Sequence, residues 1–140
     1  MMIEPFKPEH LRRLRLQPVQ QWCASLIDDA LLAEVAGVDG YTGLIDGEPI
    51  AIAGTMEFWP GRYLAWTFMG AAAGPHMLTI TRAVQRYFDV KRFRRVEAYV
   101  DPEFEAGHRW VNRLGFKREG LLEKFLPDGR DQVLYARVRN

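Results

Sequence analysis

Apolar residues recur along the chain at two different periods, and each period predicts one kind of element. From Val19 to Ala36 they return at every third or fourth position, which predicts an amphipathic helix that ends at Gly37. The residues from Met77 to Phe88 repeat this pattern and predict a second long helix. Glu103–Leu114 is expected to be helical as well, and Pro8–Arg15 to form one or two helical turns.

Shorter apolar segments bounded by turn residues predict the strands. They are Ile3–Phe6, Tyr41–Ile45, Pro49–Met56, Tyr63–Met69, Arg95–Val100, Lys117–Leu126 and Gln132–Arg139, the last two joined across PDGRD. Asp46-Gly47 favours a hairpin and Pro60-Gly61 another, so the three middle strands are expected to form an antiparallel meander. The order β, α, α, β, β, β, α, β, α, β, β is typical of a single α/β domain. We expect it to cover residues 1–140 and to hold a mixed sheet of about six to seven strands with helices on both faces.

Length and charge exclude several classes of protein. A chain of 140 residues is long enough for one domain that folds without disulfides. Its net charge of +1 lacks the strongly basic balance of nucleic-acid-binding proteins, so no nucleic-acid partner is expected. No apolar stretch approaches the length of a membrane span, so we expect no membrane association and a cytoplasmic location. The single cysteine, Cys23, is interpreted as a buried structural thiol, because no nearby His or Cys supports a nucleophile.

One local cluster of charge departs from this neutral balance. It lies in the turn before the strand Arg95–Val100 and consists of Lys91, Arg92, Arg94 and Arg95. Such a cluster favours an anion, for example a nucleotide phosphate or an acidic substrate. The alternative is a solvated turn without a ligand.

A segment rich in glycine and alanine, MGAAAGPHML, joins the strand that ends at Met69 to the helix that follows. Small residues let a backbone approach an anion closely, and a helix N-terminus favours negative charge. Pro75, however, has no N–H to contribute. The segment is either a phosphate-binding loop or a structural turn.

The segment from Gly107 to Val138 reads GHRWVNRLGFKREGLLEKFLPDGRDQVLYARV. It resembles the C-terminal half of the GCN5-related N-acetyltransferases (GNAT), above all the subgroup that acetylates the N-terminal amines of ribosomal proteins. The matching elements are Arg109, Leu114-Gly115-Phe116, Arg118-Glu119-Gly120, the Asp128-Gly129 turn with Arg130-Asp131, and Tyr135. The predicted order of elements over the whole chain agrees with that fold. The chain is also similar to small acetyltransferase-like proteins of tailed bacteriophages.

This resemblance implies a reaction. Family members bind acetyl-CoA and an amine together, and the amine attacks the thioester carbonyl directly. Because a free terminal amine has a pKa of about 8, a carboxylate, often acting through water, removes its proton. Two parallel strands splay apart to admit the pantetheine arm, a backbone N–H of the earlier strand polarises the thioester oxygen, and the pyrophosphate lies at the next helix N-terminus. The implied co-substrate is acetyl-CoA, and the implied acceptor is a protein N-terminus, a lysine or a small amine.

The family's cofactor loop falls on one continuous segment of this chain. With Phe68 before it, the implied cofactor-binding residues are Met69, Gly70, Ala71, Ala72, Ala73 and Gly74. Small residues stand where the family has them, but Met69 replaces a residue that is usually polar or basic. The resemblance therefore implies a cradle for the diphosphate made of main-chain amides between Phe68 and His76.

Three positions that are often polar in the family are not polar here. Phe104 stands where many relatives have an Asn that binds the pantetheine arm, and it is included among the cofactor-binding residues. Gly107 replaces a Ser that often serves the thiolate, and Val111 replaces a Tyr. His108 adjoins these positions and is predicted as a substitute proton donor. The alternative is a histidine at the surface or one satisfied by a helix cap.

Two carboxylates are candidates for the catalytic base. Glu97 lies within the strand Arg95–Val100, and Glu57 lies at the end of a meander strand. Burying an unpaired carboxylate is costly, so Glu97 either has a function or pairs with an arginine. Aromatic side chains line a substrate groove or belong to the core, and the candidates are Trp59, Trp66 and Trp110.

Three functions follow from these observations. The first is an acetyl-CoA-dependent N-acetyltransferase in which Glu97 or Glu57 assists deprotonation. The second is a GNAT-fold protein without catalysis, acting as a phage-type assembly or regulatory partner. The third is a nucleotide or acyl-CoA binding module without transfer. A homodimer is compatible with an exposed C-terminal strand edge, and no metal site is predicted.

Overall fold

The computed structural model describes residues 1–139, except for the side chains of Cys23 and Ser25, so the prediction for the Cys23 thiol lies outside the described residues. The strands are β1 (Met2–Pro5), β2 (Asp39–Ile45), β3 (Glu48–Trp59), β4 (Arg62–Met69), β5 (Arg95–Val100), β6 (Lys117–Leu122) and β7 (Gln132–Val138). The α-helices are α1 (Pro8–Arg13), α2 (Asp29–Val35), α3 (Met77–Lys91) and α4 (Glu105–Arg113), and 3₁₀ helices cover Pro18–Leu26 and Gly74–His76. None of the helices within residues 1–139 is long and apolar enough to cross a membrane.

The strands form a mixed sheet in the order β1-β2-β3-β4-β5-β7-β6. Strand β2 pairs antiparallel with β1 and β3, and β7 pairs antiparallel with β5 and β6. The parallel pair is β4 with β5, where Arg62–Leu64 lies opposite Arg95–Glu97. The predicted mixed sheet, with its antiparallel strands and a parallel pair, is confirmed.

The chain divides into two compact units, and the first consists of residues 1–56 and 66–84. Its core is a leucine-rich cluster with aromatic and aliphatic neighbours: Leu11, Leu14, Leu16, Leu32 and Ile52, with Phe6, Ile27, Trp66 and Phe68 packed against them. The Trp66 ring lies over two glycines, since a Cβ on Gly54 would come 2.6 Å from this ring and one on Gly40 3.1 Å. Larger residues at these two positions would displace the ring.

The second unit consists of residues 57–65 and the chain from Gln85 onward. Val96 and Val133 on neighbouring strands are each only 1% exposed. Phe88 on α3 meets Phe116 edge to face, with 5.7 Å between the ring centres. The predicted single domain over residues 1–140 stays a prediction.

The predicted helix over Val19–Ala36 is wrong, because the chain breaks at Ile27 and Asp28. Ile27 has φ −85° and ψ 87°, outside the helical region. Asp28 is extended, and its side chain accepts a hydrogen bond from the Leu31 N–H at 2.9 Å. An aspartate that caps a new helix competes with helix continuation, so periodicity alone missed the break.

Two strand ends differ from the predictions by more than two residues. Strand β3 continues past Met56 to Trp59, and β6 ends at Leu122 rather than Leu126. Beyond β6, Lys124 has a positive φ of 50° and its N–H donates to the Asp131 carboxylate. Such a turn within the predicted strand ends the extended conformation early.

Candidate functional site

The predicted cofactor loop follows β4, and much of its backbone is bonded to the first unit itself. The Gly70 N–H donates to the Ile50 carbonyl at 2.7 Å, and the Ala71 N–H donates to the Arg15 carbonyl at 2.8 Å. Leu16 and Gly70 form an antiparallel bridge. These N–H groups are therefore directed at protein acceptors.

Two N–H groups of the loop differ from the others. Within residues 1–139, no protein acceptor is found for the N–H of Ala72 or of Gly74, and both residues are exposed. They stand at the start of the helical segment that continues into α3, where unpaired N–H groups and the helix dipole favour an anion. Nothing lies within 4 Å of the position that a Cβ on Gly74 would take. The predicted main-chain cradle is thus reduced to two available donors.

The side-chain amide of Gln20 occupies the edge of β4 just before this loop. Its Oε1 accepts from the Met69 N–H at 2.8 Å, while its Nε2 donates to the Thr67 carbonyl at 2.8 Å. The Gln17 N–H donates to the Met69 carbonyl, also at 2.8 Å. Because N–H groups alternate in direction along a strand, these contacts lie on the edge opposite the one where Gly70 meets Ile50. A ligand pairing with this edge has to displace Gln20.

In the second unit, an apolar contact explains why two positions are not polar. A Cβ on Gly107 would lie 2.5 Å from the Phe104 ring and 3.0 Å from Val100. The ring of Phe104 therefore packs directly on the helix at Gly107 and leaves no room there for a serine. Val111, the third such position, is buried.

Both ring nitrogens of His108 are hydrogen-bonded within the protein. Nε2 lies 3.0 Å from the Pro102 carbonyl, which only accepts, so this nitrogen carries a proton. In the neutral ring, Nδ1 then accepts from the buried Tyr135 hydroxyl at 2.7 Å. Tyr135 and Pro102 therefore satisfy both ring nitrogens, and the role of His108 as proton donor stays a prediction.

Glu97 lies on β5, and two arginines bind its carboxylate. Arg62 is bidentate: its Nε donates to Oε2 and one terminal nitrogen to Oε1 at 2.9 Å. Arg95 adds a bond from Nε to Oε2 at 3.0 Å. The Glu97 side chain is 3% exposed, against 29% for Arg62 and 30% for Arg95. The pairing alternative therefore describes Glu97.

These arginines hold Glu97 in its ionised form. Hydrogen bonds from Arg62 in the first place, and then from Arg95, keep the pKa of Glu97 below the usual glutamate range although burial opposes this shift. Arg62 also lies over the rings of Phe58 and Trp59, at 4.3 and 4.4 Å from their centres. A carboxylate with a lowered pKa and occupied lone pairs is a weak proton acceptor.

Glu57, the other candidate base, has a different environment. It lies on β3 and is exposed. In the described part of the chain its carboxylate has no ion pair or hydrogen bond. Glu57 is therefore open to solvent and to a ligand.

Comparison with known proteins identifies the fold. No protein-family model matches the chain, and no curated protein does. Among solved structures, the ribosomal-protein-S18-alanine N-acetyltransferase from Escherichia coli aligns with a TM-score of 0.75 at 13% identity, over 98% of this chain and 92% of that one. Ard1 from Thermoplasma volcanium aligns with a TM-score of 0.74 at 14% identity, over 99% and 97%. A spermidine N-acetyltransferase from Vibrio cholerae aligns with a TM-score of 0.65 at 12% identity, over 99% and 95%.

The chain has the GNAT acetyltransferase fold. The resemblance of its C-terminal third to this family, and the fold expected from it, are confirmed at the level of structure. Since fold does not fix function, the chemistry has to be argued from the residues of this chain.

The three tryptophans have different positions in this GNAT fold. Trp59 is 55% exposed and lines a pocket of the second unit. Trp66 packs against the core cluster of the first unit, with its ring edge towards Phe6 at 5.4 Å. Trp110 lies half-buried on α4. The substrate groove lined by these tryptophans stays a prediction.

Sequence reasoning missed two residues that shape the site. Arg62, the main partner of Glu97, lies 35 positions before it, and Gln20 lies 49 positions before Met69. Nothing in the local pattern around either residue indicates these contacts. In the parallel pair, Arg62 at the start of β4 lies opposite Arg95 on β5. This register, once known, would have indicated the contact between Arg62 and Glu97.

Proposed function

We propose that the chain is an acetyl-CoA-dependent N-acetyltransferase that transfers an acetyl group to a primary amine by direct attack in a ternary complex. The observation that carries this proposal is the pair of exposed N–H groups at Ala72 and Gly74, located where β4 passes into a helix. A diphosphate is the kind of anion that such a helix start binds. The GNAT fold, shared with N-acetyltransferases over nearly the whole chain, supports this assignment.

The acceptor is a primary amine of a protein or a small molecule. The structural neighbours are named for an alanine of a ribosomal protein and for spermidine, which span both classes. In this chain Glu57 is assigned the removal of the amine proton, directly or through water, because its carboxylate is exposed and unpaired in the described part of the chain. Glu97 is a positioning residue that fixes Arg62 and Arg95.

The Met69 N–H is assigned the polarisation of the thioester oxygen. It lies on the edge of β4 that Gln20 now covers. An amide fixed by a strand is a preorganised donor for a developing oxyanion. Gln20 must release Met69 before this donor is available, and the freed carbonyl of Thr67 then accepts from the incoming ligand.

Calorimetry with acetyl-CoA on the full chain tests the cofactor part of the proposal. Wild-type protein should bind, and Gly74→Val should weaken binding by about tenfold or more, because a branched side chain beside the amide blocks close approach of the diphosphate. Because the fold has open space at Gly74, the free energy of unfolding should change little in this variant. Gly120→Val is the matched control, since a Cβ there also meets nothing within 4 Å.

Release of the CoA thiol with a panel of amines tests transfer. The panel should include a peptide with a free alanine N-terminus, a lysine peptide and a polyamine. Glu57→Gln should reduce turnover by about 100-fold and leave the acetyl-CoA affinity unchanged. Binding without thiol release from any amine would contradict the transfer reaction and leave an acyl-CoA binding module.

A GNAT-fold binding protein without catalysis is the second candidate function. The observation that favours it is the number of loop amides already used by the protein, at Met69, Gly70, Ala71 and Ala73. The packing of Phe104 on Gly107 points in the same direction. Absence of any acetyl-CoA binding in the calorimetry would favour this candidate over the enzyme.

A further inference from the structure

A pocket of about 350 Å³ lies in the second unit, between the turn that joins β3 to β4 and the start of β5. Its lining includes Trp59, Arg62, Arg94, Arg95, Glu97 and Leu134. This volume is at the lower end of the range of small-molecule sites in proteins. Two of the lining arginines belong to the basic turn that the sequence singled out.

The charges around this pocket do not cancel. Arg62 is paired with Glu97, and Arg95 is shared between Glu97 and Glu119, with 3.1 Å from its Nη1 to Glu119. Arg94 bonds the Pro60 carbonyl at 3.3 Å, and among residues 1–139 it has no carboxylate partner. Three guanidinium groups against two carboxylates leave one positive charge, and it is located on Arg94.

The guanidinium of Arg94 is supported by the turn beneath it. A Cβ on Gly61 would lie 2.6 Å from the Arg94 Cζ, so a side chain at this position would displace the arginine. Gly61 also has a φ of +95°, a conformation that glycine adopts without strain. Beside it, Arg62 is fixed by its carboxylate partner and by two aromatic rings. The pocket therefore has a defined polar wall before any ligand binds.

We propose that this pocket binds a small ligand through a carboxylate or phosphate group that pairs with Arg94. The planar guanidinium fork matches both oxyanions, and charge-assisted bonds of this kind are among the stronger hydrogen bonds of proteins. Trp59 and Leu134 offer apolar surface to the remainder of the ligand. Binding at this pocket does not depend on acetyl transfer.

The single uncompensated charge does not fit a polyanion such as a nucleic acid. Proteins that bind a nucleic-acid backbone neutralise several phosphates with separate cations, whereas here the other two arginines already have carboxylate partners. The neighbouring basic residues do not extend the site. Arg92 is exposed and is not part of the pocket lining, although it belongs to the same turn.

Titration of the ¹⁵N-labelled full chain with benzoate and with phenyl phosphate tests the proposal, with the Trp59 indole N–H as reporter. At least one of the two anions should give a saturable shift at millimolar concentration, and the neutral isostere benzamide should give none. The anion that binds more tightly identifies the oxyanion as carboxylate or phosphate. Arg94→Gln should weaken this binding by about tenfold, the equivalent of one charge-assisted hydrogen bond.

Arg92→Gln is the matched control, because it removes the same charge from the same turn outside the pocket. The affinity of this variant should stay within about twofold of wild type, since an exposed charge that makes no direct bond to the ligand is weakened by water and salt. Both side chains are exposed, so unfolding midpoints should confirm that both variants are folded. Equal weakening by the two variants, or no saturable shift with either anion, would overturn the proposal.

Discussion

The role of Glu97 is open to a quantitative test, because its carboxylate receives three hydrogen bonds from two arginines. Glu97→Gln keeps the shape and one acceptor oxygen, but it removes the charge and turns an amide NH₂ towards guanidinium donors. Breaking a fully buried ion pair costs about 3–5 kcal/mol. Here the arginines are each close to one third exposed, so water can hydrate them after the substitution. We therefore expect the free energy of unfolding to fall by about 2 kcal/mol.

Chemical denaturation at neutral pH measures this loss directly, and a thermal melt should show a Tm lower by about 6 °C. Glu119→Gln is the control. Among residues 1–139, Glu119 pairs with Arg95 alone and its side chain is 38% exposed, so its loss should cost less than about 1 kcal/mol. A Glu97→Gln variant no less stable than Glu119→Gln would refute the view that burial makes this network important.

The pH dependence gives an independent check. The pKa of folded Glu97 is lowered, chiefly by Arg62, so its stabilising contribution is complete above the ordinary glutamate pKa, about 4.3. It is lost as the pH falls from there through the folded pKa. The stability difference between wild type and Glu97→Gln should therefore shrink with acidification. A difference that stays constant below that range would mean that packing, and not charge, causes it.

Kinetics separate a positioning residue from a base. If Glu57 is the base as proposed, turnover should fall by about 100-fold in Glu57→Gln and far less in Glu97→Gln. A larger fall in the Glu97 variant would reverse the two assignments.

Further substitutions test three particular contacts. Gly107→Ser should lower the free energy of unfolding by about 1–3 kcal/mol, because the serine side chain overpacks against Phe104. In a double-mutant cycle, Phe104→Asn should relieve part of this cost. Strictly additive effects of the two substitutions would contradict the contact. Gln20→Ala should raise the acetyl-CoA affinity measured by calorimetry by about fivefold, because the Met69 N–H no longer has to be released. Weaker binding by this variant would show that Gln20 assists the ligand. His10 is buried, with its Nε2 at 3.0 Å from the Glu4 carboxylate. His10→Ala should lower the free energy of unfolding in denaturant titrations by about 2–3 kcal/mol. A loss below about 0.5 kcal/mol would show that the hydrogen bonds of His10 contribute little.

Much of the fold was predictable because its causes are local. Asp46 and Gly47 both have positive φ, at 49° and 79°, and join β2 to β3 in the predicted hairpin. The apolar period of α3 and the short apolar segment of β5 correctly located both elements. The break at Asp28 was missed because a single side-chain cap overrides periodicity.

The candidate site was predictable in its residue types but not in their partners. The chain itself specified a small-residue loop at the start of a helix and a carboxylate at Glu97 inside an apolar strand. Only the tertiary structure decided that Arg62 neutralises this carboxylate and that Ile50 and Arg15 accept the N–H groups of the loop. Local conformation depends on neighbouring residues, whereas the partner of a buried charge or a strand-edge amide depends on segments that folding brings together from distant positions.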